Sequence, residues 1–119
     1  MRLFAALKKV REFERSHLPF LKAIVDFDIV IEIGYAQEQK QLLTLKQLFL
    51  LKLGAVPTIR RRLSKLIEQG IVTRHTNADD RRSSFLALSS SSLKLLGKYG
   101  RVLSTISAND LKGLRRSNC

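Results

Sequence analysis

The stretch that decides the fold is VPTIRRRLSKLIEQGIVTRHTNADDRRSSFLALS, residues 56–89. In its first half, apolar residues recur at intervals of three and four, which is the spacing of one face of an α-helix. These residues are Val56, Ile59, Leu63, Leu66 and Ile67. Pro57 suits the first helical position, and Gly70 suits the left-handed residue after the last turn. The pattern predicts a helix over residues 56–69 with a Schellman cap that brings Ile71 to Leu66.

The opposite face of this helix is basic and carries hydroxyl groups. It comprises Pro57, Thr58, Arg61, Ser64 and Lys65, and Arg60 and Arg62 flank the apolar face. An arginine can donate two parallel hydrogen bonds to guanine O6 and N7, and a threonine can contact a thymine methyl group. We therefore predict that the five residues face a major groove and that the flanking arginines contact phosphates. The alternative is a solvated face without a ligand.

The second half of the stretch predicts a β-hairpin with a protruding tip. Ile71 to His75 and Ser84 to Ser89 are short runs suited to strands. The segment between them, TNADDRRS at residues 76–83, is rich in turn-forming and charged residues.

A short helix is predicted just before the basic helix, over Leu43 to Leu51. Thr44 and Gln47 have the spacing of a capping box at its start. A turn containing Gly54 follows, so the order is helix, turn, basic helix, which is a helix-turn-helix. The first helix of such a motif crosses the DNA backbone, and we assign Thr44 to a phosphate.

The tip of the hairpin carries a family resemblance. DRRSSFLALS, residues 80–89, resembles the Asp-x-Arg wing signature of MarR-family winged-helix regulators, and PTIRRRLSKLIEQGIVTR, residues 57–74, is similar to their recognition helix and its exit. The resemblance implies a winged helix-turn-helix, mainly α with a small β-hairpin. It implies that Arg82 enters a minor groove, braced by Asp80. We assign Arg74 and Arg81 to phosphates.

The segment from Phe20 to Gln39 fits two patterns. Apolar and acidic residues alternate around residues 27–33, which favours a strand. A helical stripe also fits and contains Leu21, Ile24, Phe27, Val30 or Ile31, and Tyr35. The resemblance implies a helix, in which Asp26 and Asp28 are expected to be solvated or capping residues.

Amphipathic helices are predicted at both ends of the chain, in a single domain over residues 1–119. Residues 1–18 form a docking helix, residues 20–89 the winged-helix core, and residues 90–119 a C-terminal helix and basic tail. In the resembled family such helices form the dimer interface. The resemblance implies a homodimer through Leu3, Leu7, Val10, Leu96, Tyr99 and Leu103.

The charge of the chain points to a polyanionic partner. The net charge is +12, and residues 56–119 hold 13 Lys and Arg against 4 Asp and Glu. A basic surface attracts nucleic acid and releases its counterions. We predict a repressor-like transcriptional regulator, acting in the cytoplasm, that binds double-stranded DNA in a sequence-specific way. The alternatives are a protein-interaction or assembly module and a non-specific nucleic-acid binder.

Other classes of function have little support in the sequence. No apolar run approaches the roughly 20 residues that span a bilayer, and no glycine-rich phosphate loop or metal-ligand spacing occurs. We expect neither an enzyme nor a bound cofactor or metal. The single cysteine, Cys119, is expected to be a free thiol, and no residue identifies a small-molecule effector.

Overall fold

The computed structural model describes residues 2–76, 78–79 and 83–104, and within them it is mainly helical with one small sheet. Its elements are α1 (Arg2–His17), α2 (Ile24–Glu38), β1 (Leu43–Thr44), α3 (Leu45–Leu50), α4 (Val56–Glu68), β2 (Val72–Thr76), β3 (Ser84–Leu88) and α5 (Ser90–Leu103). The predicted fold class is confirmed, and so is the prediction of a helix within residues 20–39. The chain divides into two compact units, one of residues 20–93 and one that joins residues 2–19 to residues 94–104.

The sheet of the 20–93 unit is antiparallel, with the strand order β1-β3-β2. Leu86 in the central strand lies opposite Leu43 on one side and Arg74 on the other. The sequence predicted only the β2–β3 hairpin, because a strand of two residues is too short to show a period. β1 therefore adds an edge to the hairpin and joins it to the start of α3.

Both ends of α4 follow the predicted signals. The amide of Ile71 donates to the carbonyl of Leu66 at 2.9 Å, and the amide of Gly70 donates to the carbonyl of Ile67 at 3.0 Å. Together with the φ of 76° at Gly70, these bonds form a Schellman cap. The proline is in the second helical position and not the first.

The buried side of α4 is narrower than predicted. Ile59, Leu63 and Leu66 are buried, whereas Val56 is 42% exposed. The expectation that Val56, the first residue of α4, is buried is therefore wrong.

The buried face of α2 differs from the predicted stripe. Ile24, Ile31 and Tyr35 are 81%, 61% and 59% exposed. The buried positions are Asp26, Ile29, Val30 and Ile33, so of the predicted alternatives Val30 and Ile31 it is Val30 that faces the core. Apolar residues occur on more than one side of this helix, so their spacing alone did not identify which side faces the core.

The second unit is held by contacts between α1 and α5. The ring of Tyr99 stacks on that of Phe13 with centroids 5.8 Å apart, and its hydroxyl donates to Glu14 Oε2 at 2.5 Å. Burial of the phenol, together with the hydrogen bond and the negative charge of Glu14, raises the pKa of Tyr99 to about 12.

The residues predicted for a dimer interface differ in exposure. Val10 is buried, and Tyr99 makes its contacts within the chain. Leu7 and Leu103 are 40% and 41% exposed, and Leu96 is partly buried. The side chain of Leu3 lies outside the described part of the structure. Among the described residues, the helices are too short or too polar to cross a membrane.

Candidate nucleic-acid interface

The helix-turn-helix consists of α3, a turn and α4. Thr44 Oγ1 accepts a hydrogen bond from the amide of Gln47 at 3.1 Å, and Gln47 Oε1 accepts one from the amide of Thr44 at 2.9 Å. This capping box confirms the predicted start of α3. The left-handed residue in the turn is Lys52, with a φ of 55°, and not the neighbouring Gly54.

The basic face of α4 is exposed along its length. Pro57, Arg60, Arg61, Ser64 and Lys65 are exposed, and Thr58 is half-buried. Pro57, Arg61, Ser64 and Lys65 lie opposite the buried apolar residues of the same helix, and Arg60 flanks those residues. The face is therefore free to enter a groove of nucleic acid as a unit.

Arg60 has a defined position on this face. Its guanidinium carbon lies 5.4 Å from the centroid of the Phe49 ring, which belongs to α3. A cation over an aromatic face gains electrostatic attraction and loses conformational freedom before any ligand binds. The contact directs this arginine toward the border between the two helices of the motif.

Arg62 has a different environment from its two neighbours. Its Nε donates to Asp26 Oδ1 at 2.6 Å, and its Nη2 donates to Asp26 Oδ2. The Arg62 side chain is 18% exposed and the Asp26 side chain is fully buried. Arginine and carboxylate are joined bidentately across 36 residues of sequence, so Arg62 belongs to the scaffold that holds α4 against α2.

Asp26 also caps α2. Its Oδ2 accepts hydrogen bonds from the amides of Lys22 and Ala23, each at 3.0 Å. Of the two predicted alternatives, a solvated or a capping residue, the structure shows that Asp26 is a capping residue. An acid that shares helical spacing with Ile29 and Ile33 was the signal available in the sequence, since a buried carboxylate requires a partner.

The electrostatics of the pair favour the charged forms. Burial alone would raise the pKa of Asp26, but the hydrogen bonds from Arg62 and the two amides, with the positive charge of Arg62, lower it below the ordinary 3.8. The pKa of Arg62 is raised, mainly by its hydrogen bond to Asp26. Both groups therefore stay charged at neutral pH.

The base of the wing is ordered by side-chain hydrogen bonds. Thr73 Oγ1 donates to the carbonyl of Ala87 at 3.2 Å and lies 2.9 Å from Nε2 of His75. Arg74, which lies between Thr73 and His75 in the sequence, is exposed. The predicted wing residues Asp80, Arg81 and Arg82 lie outside the described residues. The sequence analysis did not identify the Thr73–His75 contact, although residues two apart in a strand lie on the same face of it.

Other kinds of site have no support in the described ranges. No group of three or more His, Cys, Asp or Glu side chains could hold a metal ion there. The charged groups described above, the basic face of α4 and the Asp26–Arg62 pair, both contain arginine, whose guanidinium binds anions such as carboxylates.

Comparison with known proteins identifies the fold of the chain. No family model matches the chain. MepR of S. aureus in a complex with DNA is similar, with a TM-score of 0.69 and 17% identity over 99% of this chain and 95% of that one. A mutant MarR from E. coli complexed with operator DNA has a TM-score of 0.59 and 16% identity, covering 95% and 85%. AbsC, a MarR family transcriptional regulator from Streptomyces coelicolor, has a TM-score of 0.57 and 14% identity, covering 96% and 82%. The chain thus has the winged helix-turn-helix fold seen in these MarR-type structures.

Proposed function

We propose that the chain is a transcriptional regulator that binds double-stranded DNA in a sequence-specific way, with α4 as its recognition helix. The observation that carries this proposal is the exposed basic face of α4, held in a helix-turn-helix by a buried ion pair. The similarity to MepR and MarR in DNA complexes supports it. We infer that the role is non-enzymatic and that the protein acts in the cytoplasm.

Sequence is read by the exposed residues of α4. Arg61 donates in parallel to guanine O6 and N7, and Thr58 contacts a thymine methyl group. Pro57, Ser64 and Lys65 complete the surface that enters the major groove. Arg62 is not part of this surface, because its guanidinium is bound to Asp26.

Phosphate contacts fix the position of α4 in the groove. Arg60 is already oriented by Phe49, and Arg74 is exposed on the first wing strand. The hydroxyl oxygen of Thr44 accepts from Gln47, which leaves its hydrogen available to donate to a phosphate. These contacts supply affinity and register without reading bases.

The wing extends the interface to the adjacent minor groove. We propose that Arg82 inserts there, that Asp80 braces it, and that Arg81 contacts a phosphate. Narrow minor grooves concentrate negative potential, so one inserted arginine reads the shape of the DNA.

We further propose a homodimer that binds two half-sites about one helical turn apart. Of the predicted interface residues that the structure describes, Leu7 and Leu103 are exposed and Leu96 is partly exposed, so these three are available for the interface. A two-fold dimer would match a pseudo-palindromic operator.

The test is a selection from random duplex DNA at near-physiological salt, followed by sequencing of the bound pool. We expect two related half-sites separated by about one helical turn. Selection of a single half-site would support sequence-specific binding but contradict the proposed homodimer. A pool that stays random would overturn the proposal and leave non-specific binding or an acidic protein partner for the basic face.

A further inference from the structure

His75 lies on the outer face of the first wing strand, one residue after Arg74. In β2 the buried Val72 marks the face toward the core, so Thr73 and His75 share the opposite face. The side chain of His75 is exposed. Its imidazole is therefore open to a ligand that approaches the wing from outside.

The neighbours of His75 in the sheet are uncharged. Across the sheet it lies opposite Phe85 of β3, and Thr44 of β1 lies beyond Phe85. The charged residues nearest to it along the described chain are Arg74 and Asp79. α4 packs on β2, but on the side of the buried Val72, so the charged residues of that helix do not face the imidazole.

A chain of hydrogen bonds fixes which nitrogen of the neutral ring carries the hydrogen. The carbonyl oxygen of Ala87 can only accept, so the hydroxyl of Thr73 donates its one hydrogen to it at 3.2 Å. Thr73 Oγ1 lies 2.9 Å from Nε2 of His75 and has no second hydrogen to donate. Nε2 is therefore the donor in this contact, and Nδ1 is left as an acceptor.

The position of this hydrogen determines what the ring can bind. In the neutral ring, Nε2–H is engaged by Thr73 and Nδ1 presents a lone pair, which an anionic oxygen repels. A proton on Nδ1 makes that nitrogen a donor and gives the ring a positive charge. The imidazole of His75 can thus donate to a phosphate only after it has taken up a proton. Histidine is the side chain that ordinarily takes up a proton near neutral pH.

We propose that His75 is a further phosphate-contacting residue of the wing and that its contact couples DNA binding to the uptake of one proton per chain. The inference rests on the proposed function, because it requires a duplex beside the wing. Nδ1–H donates to a phosphate oxygen while Nε2–H remains on Thr73. Since the bound state favours the protonated ring, the affinity for DNA rises as the pH falls through the range in which histidine titrates.

The experiment measures the affinity of the full chain for its selected operator at pH 8 and at pH 6, at constant ionic strength, by fluorescence anisotropy. We expect binding about three- to tenfold tighter per bound chain at pH 6, since one proton can change the affinity by at most about tenfold per pH unit. His75→Gln should remove this increase. His17→Gln, which replaces the other histidine of the chain, is the matched control and should retain it.

The role of Thr73 is tested separately, by Thr73→Val and by NMR. Valine keeps the branched shape of the side chain but accepts no hydrogen bond, so the neutral ring is free to carry its hydrogen on Nδ1 and donate to a phosphate without a proton. We expect a smaller pH dependence in this variant than in the wild type. In the wild type at pH 8 without DNA, the ring nitrogen signals of His75 should show the hydrogen on Nε2. A hydrogen on Nδ1 would overturn the coupling.

The results separate this inference from the proposed function. Absence of operator-specific binding at both pH values would overturn the proposed function and the His75 contact with it. Specific binding whose affinity is the same at pH 8 and pH 6 would overturn the His75 contact alone. An increase at pH 6 that is lost in His17→Gln and kept in His75→Gln would also overturn it, because the proton would then be bound away from the wing.

Discussion

α2 and α4 are joined by one buried ion pair but carry opposite chemistry. α4 is basic on its exposed face, and its apolar residues lie on one side. The charged residues of α2 are all acidic, and its apolar residues lie both in the core and on the surface. Periodicity therefore identified the buried side of α4 and failed on α2. The orientation of α2 follows from a polar contact, the pairing of Asp26 with Arg62.

The Asp26→Asn substitution is the strongest test of whether the ion pair orients α2 against α4. The change leaves Arg62 with an uncompensated charge at a largely buried site, and we expect unfolding to require about 3 to 5 kcal/mol less free energy. Denaturant unfolding measures the loss. Asp28→Asn on the same helix is the control, with a change within about 0.5 kcal/mol. Similar stability of the two variants would show that the ion pair does not orient α2.

Paired substitutions of isoleucine separate the two sides of α2. Ile33 is fully buried and Ile31 is 61% exposed. Ile33→Ala should cost about 2 to 5 kcal/mol through lost burial and a cavity. Ile31→Ala should change stability by about 0.5 kcal/mol or less. If thermal or denaturant unfolding shows the larger loss at Ile31, α2 is rotated relative to the face described here.

Two arginine substitutions on α4 distinguish a side chain that reads bases from one that contacts phosphates. Arg61→Ala should cost about 1 to 3 kcal/mol of affinity for the selected operator and relax selectivity at one base pair. Arg60→Ala should weaken binding to all sequences alike and flatten the salt dependence by about one unit. Fluorescence anisotropy with operator and scrambled duplexes measures both. Retained selectivity in the Arg61 variant would remove Arg61 from the base-reading set.

The smallest effect is expected from pH near neutrality. The pKa of Asp26 is lower in the folded chain than its ordinary 3.8, so the folded state favours the carboxylate. The contribution of the pair is fully present well above pH 3.8 and is lost as the pH falls through the lowered pKa. Between about pH 8 and pH 6 the stability difference between the wild type and Asp26→Asn should stay constant. A difference that changes across this range would show that another group, such as a histidine, is coupled to the pair.

The candidate site was predictable from the sequence where the signals are local. The cap at Gly70, the capping box of Thr44 and the exposed basic residues of α4 depend on neighbours within a few positions. The role of Arg62 could not be predicted from its near neighbours in the sequence. Its spacing places it beside the apolar side of the helix, and only the packing of α2 shows that a carboxylate lies there.

The sequence by itself determined the order of helix, turn, basic helix and hairpin, because capping, turn formation and helical periodicity are interactions between near neighbours. Tertiary structure alone decided which side of α2 is buried, which arginine of α4 is structural, and that Leu43 pairs with Leu86. These outcomes depend on contacts between residues more than 30 positions apart. A buried charge must find its partner wherever the chain brings one, and no local pattern records that requirement.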